Sequence, residues 1–408
     1  MTQKSPVESL IQLSAFDPVS REDPHARMKP LREQCPVWRD ETAKTWVVSR
    51  YADVRAIVSD NTLWRNGINA EEGSFARLLV NQEKLDLPPG ERQSILTMDD
   101  PDHARIRTPL AKALYARVAK ARPKIDAIVK ETLDGVAGKK SFDLIEDVAI
   151  PIPIITIARI LGVDDARLGE FRHWSEGAIL ALNPVRTPAE TAHMEASNAA
   201  LDAYFTELMA ERRAKPQDDL VSDMVALQAA GAPLSDIELK INLLALLIGG
   251  NLTTTDLIGN GVRLLLLHPA EREKLAANAA LAPQAVEEIL RYEGPVDITG
   301  RVLSGERELG GCPMHKGQSV MVVLRSANRD PDIFERPDAF DITRKAVPHM
   351  SFGGGTHICI GAPLARMEGI AFFSVFFQRF PTLKLVDEAP QWRTLPFFRG
   401  LERLMVEV

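Results

Sequence analysis

The sequence predicts a mainly α-helical fold with small β-sheets, in a single domain over residues 1–408. Three features predict it. Apolar residues recur at helical spacing along most of the chain. Strand-like runs are short and lie towards the two ends. No repeat, low-complexity tract or long linker divides the sequence. Composition agrees: 45% hydrophobic and 26% charged residues, with 25 Gly and 27 Pro in 408, exclude a disordered, fibrous or collagen-like chain.

In chain order, Thr45–Val48 reads as a strand. Residues 61–97 lack periodicity and form a long irregular segment of the kind that usually carries function. Asp100 and Pro101 then open a helix over Asp102–Val118, with Asp100 as N-cap and Pro101 at the first helical position. Helical spacing continues over residues 121–136, 170–182, 189–214, 236–267, 283–293 and 362–379. The segment 236–267 is the longest and is apolar nearly all round in its middle, which places it inside the core. Strands are expected at 297–303, 319–324 and 401–408, with a hairpin turn at 306–311.

Charge and cysteine content narrow the function. Lys and Arg number 49 against 56 Asp and Glu, a net charge of −7. That balance gives no electrostatic reason to expect nucleic acid as a partner. The three cysteines, Cys35, Cys312 and Cys359, are too few for a disulfide framework and suit a reducing compartment. Residues 1–14 lack a charged-then-apolar signal pattern. The most apolar stretches are 148–157, interrupted by Pro151 and Pro153, and 241–250. Both fall short of the roughly 18 apolar residues of a membrane span. The expectation is a soluble, cytoplasmic protein.

The chemistry concentrates in Ser351-Phe352-Gly353-Gly354-Gly355-Thr356-His357-Ile358-Cys359-Ile360-Gly361. Glycines bracket one cysteine and a helix starts just behind it. Glycine permits tight turns and close approach of a bulky partner. The helix start supplies N–H groups and partial positive charge that favour a thiolate. Such a sulfur suits a transition metal. No second Cys or His pair stands at zinc spacing, and the glycine run lacks the Lys-Ser/Thr of a phosphate loop. On the residues alone, a buried structural cysteine remains the alternative.

This segment resembles the haem-binding signature of the cytochrome P450 family, Phe-x-x-Gly-x-x-x-Cys-x-Gly, through Phe352, Gly355, Cys359 and Gly361. Four further segments are similar to family motifs, in the right order. His103 and Arg107 match its haem-contacting helix. Gly249-Gly250-Asn251-Leu252-Thr253-Thr254 falls at the oxygen-activation motif. Glu288-Ile289-Leu290-Arg291 matches Glu-x-x-Arg, whose spacing puts both side chains on one helix face. Asn328-Arg329-Asp330-Pro331, with Phe334, Pro337, Phe340 and Arg344, looks like the meander. The resemblance spans essentially the whole chain.

The resemblance implies a triangular helical prism with a long central helix over haem b, and a smaller β-rich lobe built from both ends of the chain. It makes Cys359 the axial thiolate ligand, with Phe352 packed beside it and Gly361 freeing N–H groups towards the sulfur. His103, Arg107, Arg301 and His357 are expected at the two propionates. Glu288 and Arg291 are expected in a structural ionic network with the meander, through Arg329 or its neighbours.

One departure matters. The family motif usually carries an acid before its threonines, and here that position is Leu252. Two protons must reach bound oxygen before the O–O bond breaks, and a positioned acid and hydroxyl supply them. Thr253 keeps the hydroxyl role, with Thr254 beside it. Asp256, one turn on, is the expected replacement acid, and Asn251 a polar neighbour that holds water. The alternatives are leakage of reduced oxygen as peroxide, direct use of peroxide, or haem binding without oxygenation.

The substrate pocket implied by the family would draw on Ile95, Leu96, Ile179, Leu182, Ala245, Ile248, Gly249, Val296, Asp297 and Ile298. This mostly apolar set suits a small or medium hydrophobic molecule undergoing hydroxylation or O-demethylation. Arg92 and Ser94 are candidates for holding a carboxylate. The other implied partners are O2 and a separate ferredoxin or flavodoxin with its NAD(P)H-dependent reductase. The docking candidates for that acidic carrier are Lys112, Arg117, Lys120, Arg122 and Arg366. A monomer is expected.

Overall fold

The computed structural model describes residues 5–80, 86–88, 91, 93–345, 347–387 and 389–408. Arg92, a carboxylate candidate, lies outside the described residues. Helices of eight residues or more are α1 (His25–Gln34), α2 (Tyr51–Val58), α3 (Asp102–Val118), α4 (Arg122–Asp134), α5 (Pro151–Leu161), α6 (Leu168–Ile179), α7 (Pro188–Ala214), α8 (Leu220–Ala229), α9 (Asp236–Leu267), α10 (Pro269–Ala277), α11 (Ala282–Glu293) and α12 (Ala362–Phe373). The expected mainly helical architecture holds, and the periodicity located seven of these helices closely. α9 occupies the expected 236–267 because Ser235 accepts from the Glu238 N–H while Glu238 reaches back to the Ser235 N–H.

Two readings shift. The start of α3 is displaced by one residue: Pro101 takes the cap position, and the Asp100 carboxylate accepts from the Ala104 N–H at 3.0 Å. The apolar stretch 148–157 is not broken by its prolines. A π-turn over Ile145–Ala149 leads into α5, where Pro151 and Pro153 occupy the first turn. There no intrahelical N–H bond is lost, so proline starts a helix rather than ending one.

The strands form a four-stranded sheet in the order β1 (Val37–Asp40), β2 (Thr45–Val48), β7 (Ser319–Val323), β4 (Ile298–Val302). β2 and β7 run parallel, and the outer pairs run antiparallel. β5 (Arg307–Leu309) and β6 (Cys312–Met314) make the hairpin expected near 306–311. The run 401–408 divides into β10 (Leu401–Arg403), paired with β9 (Gln391–Trp392), and β11 (Met405–Glu407), paired with β3 (Ser141–Asp143) and β8 (Lys384–Leu385). The division falls at Leu404, whose N–H turns to Asp143 Oδ1 at 3.0 Å.

The main core lies among the helices, and two smaller apolar clusters flank the β1–β2–β7–β4 sheet. α9 is long and apolar enough to cross a membrane, but most of its apolar window is buried against the rest of the fold, as in a core helix.

Glu288 and Arg291 on α11 are fully buried and pair through two bonds of 2.8 Å. The third member is Arg344, at 3.1 Å from Glu288 Oε2. Arg329, expected there, instead pairs with Asp338 at 3.1 Å and stacks on Tyr292 at 3.5 Å. Arg291 also donates to the carbonyls of Asn328, Pro337 and Ala339. One buried pair therefore holds the chain from 328 to 344 against α11. Removing one partner of such a pair costs about 3–5 kcal/mol. Glu288→Ala is expected to shift the denaturant midpoint down accordingly; an unchanged midpoint with only slower chemistry would contradict the structural role.

Candidate functional site

The cysteine loop is set by backbone conformation. Gly353 and Gly355 have φ of +69° and +65°, a region costly for other residues. A Cβ on Gly355 would also stand 2.7 Å from the Val58 carbonyl oxygen. The turn lets Cys359 N donate to Phe352 O at 2.9 Å and Ile358 N to Gly355 O at 3.1 Å. α12 starts at Ala362, so the N–H groups of Gly361 and Ala362 face the sulfur. Phe352 packs beneath Arg366, whose guanidinium lies 4.5 Å above the ring and pairs with Glu287 at 2.6 Å. Cys359 is surrounded by protein yet retains open surface, as expected of a group facing an internal cleft. Burial pushes its thiol up, against the pull of those N–H groups and of Arg107 and Arg366. A bound metal cation would offset that desolvation and hold the thiolate.

Positive charge gathers beside it. Burial drives the His357 imidazole pKa down to about 2, with His103, Arg301, Arg65 and Arg107 adding to it. The His103 and His357 rings lie 4.1 Å apart. Arg301 is brought down to about 9 by burial and by Arg65. The carboxylate facing these guanidiniums is Asp99. It is already occupied by the N–H groups of Arg65 and Asn66 and by Asn69 Nδ2 at 3.1 Å. His103 Nδ1 meets Asp100 at 3.3 Å, while its buried Nε2 has no partner among the described residues. Three guanidiniums against the carboxylates of Asp99 and Asp100 leave net positive charge to be met by a ligand. The donor set thus fits a metalloporphyrin with two propionates: Cys359 for the metal, and His103, Arg107, Arg301 and His357 for the acids. Arg65 completes the set. It escaped the sequence reading because it lies in the aperiodic segment 61–97.

α9 carries the next group of expected residues. Between Leu246 and Val262, the accessible positions are Ile248, Gly249, Gly250 and Thr253. With Ala245 they make one stripe at helical spacing. Thr253 Oγ1 donates to Gly249 O at 3.0 Å, so the hydroxyl sits on the open face.

Its neighbours differ from expectation. Leu252 is buried, and Asn251 donates to Ser175 Oγ at 3.2 Å instead of facing the cavity. Asp256 is not free to relay protons to that face: both its oxygens lie 2.7 Å from Arg393 Nη2. Thr254 is buried and faces Glu368 on α12. Glu368 was not singled out, although a lone acid in the apolar run 362–373 was a readable signal. Its burial raises its pKa to about 8 against the hydroxyls of Thr156 and Thr254, and Oε1 has no partner among the described residues.

A cavity of about 470 Å³ adjoins the cationic cluster through Arg65 and Arg301. Leu182, Val296 and Ile298 line it as expected, joined by Phe75, Phe397 and Phe398, whereas Ala245, Ile248 and Gly249 on α9, also expected there, are not in its lining. Ile95 belongs instead to the main core, its N–H bound to Asn242 Oδ1 at 2.9 Å. Leu96 is exposed, and its carbonyl accepts from Arg65 Nε at 2.9 Å. Ile179 is half-buried away from the lining. Asp297 is buried in an ion pair with Arg325 and cannot serve as a free substrate contact. Ser94 is half-buried, and its Oγ accepts from the Leu96 N–H at 3.3 Å.

Known proteins agree with this geometry. The family model described as cytochrome P450 matches residues 175–398. The chain is 36% identical to cytochrome P450 107B1 of Saccharopolyspora erythraea, over 97% of each chain. It is 35% identical to 6-deoxyerythronolide B hydroxylase of the same organism, over 93% of this chain and 94% of the other. Among solved structures, P450BioI in complex with hexadec-9Z-enoic acid-ligated acyl carrier protein superposes with a TM-score of 0.86 at 34% identity, covering 95% of this chain and 99% of that one.

The raised pKa of Glu368 has a stability consequence. The folded state keeps this proton up to about pH 8, whereas the unfolded chain releases it near ~4.3. Between those values the folded state binds more protons, so stability falls as pH rises. Glu368→Gln cannot ionise. Its melting temperature is expected to exceed that of the parent at pH 8, with the gap closing towards about pH 5. A pH-independent gap would contradict the assignment.

Proposed function

The chain belongs to the cytochrome P450 family of haem-thiolate monooxygenases, and from that premise we propose that it oxygenates a small or medium apolar organic substrate, with electrons delivered from NAD(P)H by a separate ferredoxin or flavodoxin and its reductase. The observation that carries the reading is the loop-presented thiol at Cys359 with the guanidiniums of Arg65, Arg107 and Arg301 gathered beside it around His357; α9, which bears Thr253, packs against the helix that follows the thiol. Members of the family bind haem b, which supplies oxygen activation when bound to the thiolate.

The protein's own residues divide the remaining work. Gly361 and Ala362 N–H groups stabilise negative charge on the sulfur. Thr253 Oγ1 donates its proton to Gly249 O and so offers its oxygen as an acceptor on the open face. Glu368 carries a proton near neutral pH and is linked to the adjacent Thr254. It is a protonated acid behind the motif that Leu252 leaves without one. Val296, Ile298, Leu182 and the phenylalanines exclude water and present an apolar wall.

Hydroxylation is favoured by the relative named as a hydroxylase. For carrier docking, Arg117 is paired with Asp223, Arg122 with Asp126 and Arg366 with Glu287. That leaves the exposed Lys112 and Lys120 as the cations of choice, beside exposed Tyr115 and Ile358. We read the chain as a monomer acting in the cytoplasm without membrane attachment.

A second reading rests on Leu252 and on the capture of Asp256 by Arg393. If Glu368 does not supply protons, reduced oxygen leaves as peroxide, or peroxide itself is the oxidant.

Cys359→Ser is expected to abolish the long-wavelength band of the reduced, carbon monoxide-bound protein; its survival would remove the thiolate. Thr253→Ala, assayed with a reconstituted ferredoxin system, is expected to lower product formed per NAD(P)H consumed by about tenfold, with peroxide rising in proportion. Unchanged coupling would take Thr253 out of the chemistry and favour the second reading.

A further inference from the structure

α6 and α7 pack closely against one another. The approach depends on Gly177 of α6, where an added Cβ would collide with the Ser197 side chain of α7 and stand 3.0 Å from His193 Nε2. Glycine thus leaves that ring nitrogen uncovered on the α6 side. His173 lies one helical turn before Gly177, on the same face. The His173 and His193 rings meet with centroids 4.7 Å apart and planes tilted at 47°. His173 is exposed and His193 half-buried, so the pair is reached from solvent.

The two imidazoles differ from most others in the chain. His103, His268, His315 and His349 each have a ring nitrogen held by a carboxylate or a carbonyl. His173 and His193 have no hydrogen bond or ion pair among the described residues. The neighbouring cations are already engaged: Arg172 pairs with Glu146 and Glu176, and Arg167 with Glu170. Their repulsion of an incoming metal ion is therefore largely cancelled.

The spacing fits one shared ion. Two imidazoles bound to a metal at about 2.0–2.1 Å have ring centres roughly 4.5–5.2 Å apart for metal angles of about 90–110°. The separation of 4.7 Å falls inside that range. Nitrogen lone pairs lie in the ring planes, so parallel stacked rings could not share an ion, whereas tilted planes intersect. Neutral imidazole favours Zn2+, Ni2+ and Cu2+ over Ca2+ and Mg2+, which take oxygen ligands. No third His, Cys, Asp or Glu joins the pair among the described residues. Water would complete the coordination shell, which makes the ion exchangeable.

We propose that His173 and His193 form a divalent transition-metal site that bridges α6 and α7. The bound ion braces the segment between the two helices, residues 180–187. That segment supplies Leu182 and Pro184 to the cavity lining, and α6 is tied to α9 where Ser175 accepts from Asn251. An ion at the surface thereby stiffens one wall of the cavity without entering it. The inference does not depend on a haem.

The test titrates Ni2+ by calorimetry into the haem-loaded protein, after chelator treatment and desalting. The parent is compared with His173→Ala, His193→Ala and the milder His193→Gln. The parent is expected to take up one Ni2+ at this site. Each variant is expected to bind it at least about tenfold more weakly, since losing a direct ligand costs no less than losing a partner behind one. Melting temperatures without metal are expected to stay close to that of the parent. Cu2+ is expected to bind more tightly than Ni2+, and Mg2+ not to compete. Amide hydrogen exchange over residues 180–187 is expected to slow with Ni2+ in the parent and not in the variants. Ni2+ uptake that survives loss of either histidine, or that Mg2+ displaces, overturns the site. Uptake that needs both histidines but leaves exchange unchanged overturns the brace. The carbon monoxide spectrum of the same sample tests the haem reading separately.

Discussion

Guanidiniums gathered inside a protein in excess of the carboxylates beside them call for a counter-charge. Arg65, Arg107 and Arg301 surround His357, and Asp99 already spends its lone pairs on backbone and amide donors. Hydrogen bonds to carbonyls, such as Arg65 to Leu96 and Arg301 to Val58, satisfy donors but cancel no net charge. The thiol of Cys359 has the reverse problem: burial penalises its anion until a cation is supplied. A metalloporphyrin dicarboxylate meets both demands at once. The elements around it are arranged to keep these unbalanced groups facing one another.

α9 makes this arrangement possible. A helix satisfies its own backbone, so it can pass through the core without partners. Its surroundings then decide, residue by residue, which side chains stay in packing and which face the cleft. Gly249 and Thr253 are left open because nothing packs on them, while Thr254, Thr255 and Asp256 are each engaged by α12, by the π-turn before α5 or by the turn at 393–400. Three consecutive threonines therefore have three different environments. Only the three-dimensional neighbours distinguish them.

That contrast also measures what the sequence could tell. Local signals were sufficient for α3, α7, α9 and α12, whose caps, prolines and periodicity are all within reach of a short window. For Cys359 they showed a loop-presented sulfur ahead of a helix but left a structural cysteine open, and only the resemblance of the wider motif chose between the two. They failed where the partner is remote in sequence. Asp256 read as a free acid because Arg393 is 137 residues away. Asp297 read as a pocket contact because Arg325 was not visible beside it. Arg329 was placed with Glu288, although Arg344 fills that position. Arg65 lies where no periodicity exists to place it. Charged side chains in a core are paired, and a linear reading identifies the charge without its partner.

The fate of the acid on α9 connects these points. Successive helical residues are separated by about 100°, so Asp256 lies about 60° to one side of Thr253 and Thr254 about 100° to the other. On one side the carboxylate is spent on Arg393. On the other, Thr254 meets Glu368, an acid whose burial keeps its proton to about pH 8. Leu252 lies on the same side as Asp256 and is buried as well. The helix thus assigns structure to one flank of its open stripe and proton storage to the other.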